Sequence, residues 1–127
     1  MLPIASALGD EEIKAVTTML SAMPAPKTKH VTRVDFPGSP GAVLALRGAW
    51  ERNIPECVVC HGPGGVGVGD HFPPLAGQSA EYLSVQLNAW RDGSRKNDPN
   101  ELMGHIARSL TDEEVSAVAA YFSSLSE

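Results

Sequence analysis

The chain has 127 residues, a formal net charge of −5, 43% hydrophobic residues and 20% charged residues. This length suits one ordinary domain, and the composition is typical of a globular protein and excludes a disordered chain. The sequence contains no run of 18 or more apolar residues, which excludes a transmembrane helix, and no basic patch, which argues against a nucleic-acid partner.

The first 23 residues resemble a segment near the end of the chain. Aligned without gaps, residues 1–23 and 103–125 are identical at 10 of 23 positions. Each segment continues from an acidic helix start into apolar residues at helical spacing, so the pattern predicts an amphipathic helix in both copies. We interpret the pair as an internal repeat whose first copy lacks its front.

A linker and a further helix follow the first copy. Residues 24–38 contain three prolines and a glycine, which interrupt any helical period. Ser39 followed by Pro40 is typical of a helix start, and we expect Pro55 to end this helix. Three apolar residues at helical spacing are predicted to form its buried face: Val43, Leu46 and Trp50.

The next stretch contains two thiols and an imidazole at a specific spacing. Cys57 and Cys60 are three positions apart, and His61 follows directly. This is the attachment motif of a c-type haem. Each thiol can add across one haem vinyl group, one turn of chain reaches both vinyls, and the next residue can ligate the iron through an imidazole nitrogen. The motif predicts one covalently attached haem c.

Three other uses of the cysteine pair were weighed against haem attachment. A thiol–disulfide redox centre usually opens a helix after a strand, but Ile54-Pro55 and a glycine-rich run flank this pair. Half of a zinc site would need a second pair of ligands at matching spacing, and the sequence has none. A structural disulfide would leave the directly following His61 unexplained.

Five glycines occur in residues 62–69, and two predicted helices follow them. No Lys-Ser or Lys-Thr follows the glycines, so a phosphate-binding loop is not indicated, whereas backbone that wraps a flat macrocycle needs positive φ values. Ser79 caps the next helix, which Gly93 ends, and Thr111 with Glu114 forms a capping box for the last helix. Four residues are predicted on the inner face of the first of these helices: Tyr82, Leu83, Leu87 and Trp90.

A second axial ligand must come from elsewhere in the chain. Met19 and Met23 lie on an apolar helical stripe and are expected to be core side chains. His71 follows the glycine-rich loop too closely to cross easily to the opposite haem face. Met103, at the end of a polar loop, is favoured over His105 because a thioether is a standard sixth ligand in electron-carrying haem proteins.

These motifs resemble those of class I c-type cytochromes, and more closely those of small bacterial di-haem cytochromes c whose halves are tandem copies. The resemblance covers residues 39–127 and depends on five groups of residues: Cys57–Gly62, Pro74–Gln78, Tyr82-Leu83 with Gln86-Leu87, Met103, and Leu110–Glu114. It implies an all-α class I cytochrome c fold, with helices wrapped around one haem. It further implies His61 and Met103 as axial ligands, and a Pro74 carbonyl that accepts a hydrogen bond from the ligand imidazole.

The resemblance also implies a function and a domain organisation. We expect a one-electron carrier and not an enzyme, working with redox protein partners; the alternative is a haem-bearing domain of a larger di-haem oxidoreductase or redox complex. Residues 1–23 would be the C-terminal helix of a preceding cytochrome c half, and Met1 either the ligand of a missing haem or only a start residue. The expected location is the bacterial periplasm, although the sequence shows no secretory signal.

Overall fold

A computed structural model describes residues 2–29, 31, 32, 34 and 38–127, and the prediction made for Met1 lies outside these residues. The described residues form seven α-helices and three single 3-10 turns: α1 (Leu2–Ala7), α2 (Asp10–Ser21), α3 (Pro40–Arg47), α4 (Cys57–His61), α5 (Ala80–Asp92), α6 (Leu102–Ser109) and α7 (Asp112–Ser123), with turns at Trp50–Arg52, Pro63–Gly65 and Pro99–Glu101. Within these ranges β-pairing is limited to isolated bridges, so the predicted all-α class is confirmed. None of the described helices is long and apolar enough to cross a bilayer.

Helices α3 and α7 pack against each other at the centre of the fold, and α5 packs on both α6 and α7. Gly41 permits the close approach of α3 to α7, because a Cβ atom at this position would lie 2.1 Å from the carbonyl oxygen of Ala117. The buried residues of the larger core cluster come from these helices and the chain end: Ala42, Ala45, Leu46, Leu83, Val118, Ala119, Tyr121, Phe122 and Leu125.

The helix starts predicted from capping residues are confirmed. The side chains of Ser39, Ser79 and Thr111 each accept a hydrogen bond from the backbone N–H three residues further on. Glu114 completes the capping box by accepting the backbone N–H of Thr111 at 2.9 Å. Helix α5 ends where predicted, because Gly93 adopts a left-handed conformation with φ of 76°.

The prediction that the helix after Ser39 continues to Pro55 is wrong. Helix α3 ends at Arg47, and Gly48 follows with φ of 69°. The chain then folds back so that the N–H of Ala49 donates to the carbonyl of Ile54 at 2.7 Å. A Cβ atom on Gly48 would lie 2.4 Å from that same carbonyl oxygen, so the turn requires glycine.

This early end changes which side chains are buried. Of the three residues predicted for the buried face of α3, only Leu46 is buried; Val43 is 37% exposed and Trp50 is 63% exposed. Trp50 lies in the 3-10 turn beyond the helix, so it no longer shares a face with Leu46. On α5, Leu83 is buried as predicted, whereas Tyr82 is 49% exposed.

The two segments aligned in sequence have the same local structure. The bounds of α2 and α7 coincide when the numbering is shifted by 102 residues, and a short helix precedes each of them. The capping arrangement is also repeated, since Glu12 accepts the backbone N–H of Gly9 at 2.8 Å. The two copies differ in burial: α7 contributes five buried residues to the core, whereas α1 and α2 contribute none.

The described part of the linker is attached to the C-terminal end of the chain. Thr28 forms a β-bridge with Ser126, and the N–H of Lys29 donates to the carbonyl of Leu125 at 2.8 Å. The Lys29 ammonium donates to the carbonyl of Ser124 at 3.1 Å. These bonds fix residues 27–29 on the body formed by α3–α7.

Candidate haem site

The Cys-x-x-Cys-His motif forms the short helix α4, as the prediction of a single turn required. Residues three apart on a helix lie on the same face, so the turn brings the side chains of Cys57 and Cys60 to one side. Both cysteines are free thiols and both are half-buried. Gly62, with φ of 80°, ends the helix immediately after His61.

His61 is buried and its ring is oriented by one hydrogen bond. Its Nδ1 atom lies 2.7 Å from the carbonyl oxygen of Pro73. A carbonyl only accepts, so Nδ1 must carry the proton, which leaves the Nε2 lone pair free for a metal. Burial lowers the pKa of His61, and the hydrogen bond to Pro73 partly opposes this by raising it. The neutral imidazole that a metal requires is therefore the favoured form.

The residue that supplies this carbonyl differs from the prediction, which named Pro74. The accepting oxygen belongs to Pro73. In an extended proline segment successive carbonyls point in directions about 120° apart, so only one of two neighbours can face a given ring. The sequence identified the correct loop but not which of the two adjacent prolines faces the imidazole.

The glycine-rich loop folds tightly against the chain itself. Gly62, Gly65 and Gly67 all have positive φ, as predicted. A Cβ atom on Gly62 would lie 2.7 Å from the carbonyl oxygen of Gly67, and one on Gly65 would lie 2.6 Å from the Phe122 ring. The close neighbours of these two glycines are thus backbone and core atoms, and the compact loop brings the Pro73 carbonyl to His61.

The environment of Cys57 argues against a thiol–disulfide redox centre. Its Sγ atom lies 3.9 Å from the carbonyl oxygen of Leu44 and can donate a weak hydrogen bond to it. Burial raises the pKa of the Cys57 thiol to about 12. Redox-active Cys-x-x-Cys pairs instead stabilise the thiolate and have a lowered pKa.

Met103 and His105 both lie on α6 but on different sides of it. Met103 is half-buried and shares a face with half-buried Ile106 and buried Leu110 at spacings of three and seven residues. His105 is two positions from Met103, about 200° around the helix axis, and is exposed. The sequence placed Met103 at a loop end; the separate helix α6 was missed, although the spacing of Met103, Ile106 and Leu110 could have indicated it.

The remaining ligand candidates lie away from the core. Met19 and Met23 are 60% and 58% exposed, so the prediction that they are core side chains does not hold for the residues described. At an offset of 102 positions they correspond to Tyr121 and Leu125, which are buried, but none of the described residues buries Met19 or Met23. His71 is exposed in the loop directly after the glycine-rich run.

The residues present fit a haem c. An imidazole with a free Nε2, two thiols on one helical turn and a half-buried thioether are the donor set of such a group. A porphyrin also needs apolar surface to cover, and two large apolar side chains directly after the motif, Val66 and Val68, are exposed. Fold and site together define a protein of the c-type haem class, built from helices around one covalent attachment turn.

Comparison with known proteins agrees with this class. Residues 51–126 match the family model for cytochrome c. The chain belongs to the cytochrome c family. It is 65% identical over its whole length to the thiosulfate dehydrogenase electron acceptor of Stutzerimonas stutzeri, and covers 59% of that protein. Over 76 residues it is 46% identical to cytochrome c-554(548) of Halomonas halodenitrificans, of which it covers 92%.

Solved structures show the same fold. The thiosulfate dehydrogenase (TsdBA) of Marichromatium purpuratum superimposes with a TM-score of 0.80 and 45% identity, over 97% of this chain and 26% of the other. Cytochrome c4 of Acidithiobacillus ferrooxidans gives a TM-score of 0.72 and 35% identity, over 98% of this chain and 71% of the other. The class I cytochrome c fold predicted from the sequence is confirmed.

Family membership settles the coarse function. A cytochrome c domain with the Cys57–His61 motif has a covalent haem c and transfers electrons. The relatives found by sequence are named as electron acceptors and as cytochromes, in agreement with the expectation of an electron-transfer protein. The chain spans somewhat more than half the length of the first two relatives, 59% and 56%.

Proposed function

We propose that this domain is a one-electron carrier in which His61 and Met103 are the axial ligands of the haem iron. The observation that carries the proposal is the hydrogen bond of buried His61 to the Pro73 carbonyl. It holds the ring in the tautomer whose Nε2 can bind iron and increases the basicity of that nitrogen. With His61 and Met103 both holding the iron, a bound haem would supply one-electron chemistry without exchange of protein ligands, as an electron carrier requires.

The choice of Met103 over His105 follows from helix geometry. The two side chains point to opposite sides of α6, so a haem that meets one of them cannot meet the other without unwinding the helix. Met103 is on the side that also packs Ile106 and Leu110 into the protein, whereas His105 faces solvent. A thioether also favours ferrous iron, which raises the reduction potential of a carrier.

Three single substitutions test the ligand assignment. Ferric haem with a thioether ligand has a weak absorption band at the red end of the visible spectrum. We expect Met103→Ala to lose this band and His105→Ala to keep it. Met19→Ala, which removes an exposed methionine, is the matched control and should keep it too. Loss of the band in His105→Ala, with retention in Met103→Ala, would overturn the assignment.

We propose further that the domain takes its electrons from a thiosulfate-oxidising enzyme. The support is the 65% identity to a protein named thiosulfate dehydrogenase electron acceptor. Mixing the ferric domain with thiosulfate dehydrogenase and thiosulfate should reduce its haem within the turnover time of the enzyme. Cytochrome c-554(548) of Halomonas halodenitrificans at the same concentration serves as the control, and equal reduction rates for both would contradict a specific partnership.

The domain division is proposed as the sequence suggested it, with residues 1–23 belonging to a preceding cytochrome c half, 24–38 a linker and 39–127 the present domain. The support is that α2 repeats α7 while leaving exposed the apolar positions that α7 buries. In such a protein the present domain would serve a larger di-haem redox assembly. The covalent haem supports a periplasmic location, which fractionation of the native host would test.

A further inference from the structure

The backbone just before Met103 has an unusual conformation. Asn100 and Glu101 both adopt left-handed geometry, with φ of 57° and 53°. Side chains other than glycine and asparagine rarely adopt this conformation, so Glu101 in particular is held there by its surroundings. Met103 is the second residue of α6, two positions after this turn. The position of its sulfur atom therefore depends on what keeps the turn in place.

Helix α6 also lacks an ordinary cap. Its N-cap position is Glu101, whose left-handed backbone is unlike the extended conformation of a normal N-cap and whose side chain does not cap the helix. The missing acceptor comes from Asp98: its Oδ2 atom accepts the backbone N–H of Gly104 at 2.8 Å. Gly104 is buried and directly follows Met103. A carboxylate at this end of a helix is also favoured by the helix dipole.

A second contact, an ion pair, also holds this turn in place. The Arg108 guanidinium donates to the Glu101 carboxylate at 2.7 Å. A Cβ atom on Gly104 would lie 3.0 Å from the same guanidinium and 3.5 Å from Asp98 Oδ2, so both side chains close around this residue. Arg108 and Glu101 are exposed, whereas Asp98 is half-buried, which makes the Asp98 bond the more effective constraint.

We propose that Asp98 is a positioning residue for the axial ligand Met103. It holds the first turn of α6 in register through the backbone of Gly104, and so keeps the methionine sulfur where it can bind iron. Asp98 acts through its hydrogen bond to the backbone of Gly104. The inference rests on the proposed ligation by Met103.

The test is an imidazole titration of the ferric holoprotein, because added imidazole competes with the methionine sulfur for iron. Loss of the cap should raise the apparent affinity for imidazole about fivefold in Asp98→Ala, the factor that corresponds to a typical helix cap. Asp98→Asn keeps an acceptor oxygen and should stay within about twofold of the wild type. Should Asp98→Ala fail to fold, the milder Asp98→Ser is titrated in its place, with the same direction expected.

Thr111→Ala is the matched control, since it removes the cap of α7 without touching the turn before Met103. It should lower the melting temperature about as much as Asp98→Ala and leave the imidazole affinity unchanged. Equal imidazole affinity in wild type and Asp98→Ala, or an equal rise in Thr111→Ala, would overturn the positioning role. A wild-type protein without the red thioether band would instead overturn the ligand assignment itself.

Discussion

Two glycines in the loop after His61 differ in how well they should tolerate substitution. Gly65 has φ of 79°, its carbonyl accepts the N–H groups of Leu75 and Ala76, and a Cβ atom there would overlap the Phe122 ring. Gly69 also has positive φ, at 55°, but apart from its chain neighbours no described residue lies within 4 Å of its would-be Cβ. Both positions have positive φ, but only at Gly65 would an added Cβ atom meet a neighbouring side chain.

This difference gives a paired prediction. Gly69→Ala should cost about 1 kcal/mol, from the left-handed backbone alone. Gly65→Ala adds overpacking against Phe122 and should cost about 3 kcal/mol or more. Urea unfolding of the two holoproteins measures both values, and similar costs at the two sites would show that the ring of Phe122 moves aside freely.

For single residues, the sequence predicted the haem attachment motif better than it predicted which side chains are exposed to solvent. The spacing of Cys57, Cys60 and His61 is a covalent requirement, so it can be read from the chain alone. The choice of Pro73 over Pro74 depends on which carbonyl faces the imidazole, and the exposure of Trp50 depends on a turn at Gly48. The first depends on a contact across twelve residues, and the second on the chain folding back from Ile54 onto Ala49; neither follows from apolar periodicity.

Among the helices, the crossing of α3 and α7 depends on a single small residue. Gly41→Ala would place a methyl group against the carbonyl of Ala117 and force the helices apart, so we expect a loss of about 2–3 kcal/mol. Val43→Ala on the partly exposed side of the same helix is the control and should cost less than about 1 kcal/mol. Thermal unfolding of both variants tests this; equal costs would mean that the crossing tolerates a wider spacing.

An ion pair links the 3-10 turn after α3 to the corner between α6 and α7. Arg52 donates to the Glu114 carboxylate through both terminal nitrogens, one bond measuring 2.9 Å, and to the carbonyl of Ser109 at 3.1 Å. The hydrogen bond from Arg52 is the main cause that holds the pKa of Glu114 below its ordinary value. The carboxylate is thus favoured in the folded protein.

The lowered pKa has a definite consequence for stability. A depressed folded-state pKa adds stability above the ordinary glutamate pKa of 4.5, and this contribution is lost as the pH falls below that value. Glu114→Gln should therefore be less stable than wild type at pH 7, with the difference shrinking as the pH falls below 4.5. Arg52→Gln should give the same pH profile, and the double variant no further loss, as measured by urea unfolding. A pH-independent difference would assign the effect to packing.

Capped helices were predictable because a cap is a local contact between neighbouring residues. Ser39, Ser79 and Thr111 each identified a start correctly. The start of α6 has no capping residue at the usual position, because its cap comes from Asp98, six residues before Gly104 and across two left-handed residues. No local signal reports a cap of that kind.

In the whole molecule, burial divides the chain into two parts. No residue of α1 or α2 is buried, whereas α3–α7 enclose the core and the haem attachment turn. A chain that starts at residue 24 should therefore keep the haem spectrum and unfold within about 1 kcal/mol of the full chain. Spectra and urea unfolding of the two proteins test this.

A shorter chain that starts at residue 38 provides the contrast. It also loses the bonds of residues 27–29 to Leu125 and Ser126, and should be less stable by about 1–2 kcal/mol. Equal stability of the two truncated chains would show that the linker attachment contributes nothing. A large loss already on removing residues 1–23 would show that α2 packs on the body.

The hydrogen bonds that hold Lys27–Lys29 against the chain end also limit the distance between α2 and that anchored segment. Helix α2 ends at Ser21, so only residues 22–26 separate it from the anchored segment. Five residues reach at most about 17 Å, and Pro24 and Pro26 stiffen them further. A redox centre bound next to α2 would therefore have an effective concentration, relative to the haem of this domain, in the millimolar range or above. Electron exchange between them would then be a first-order process, independent of dilution.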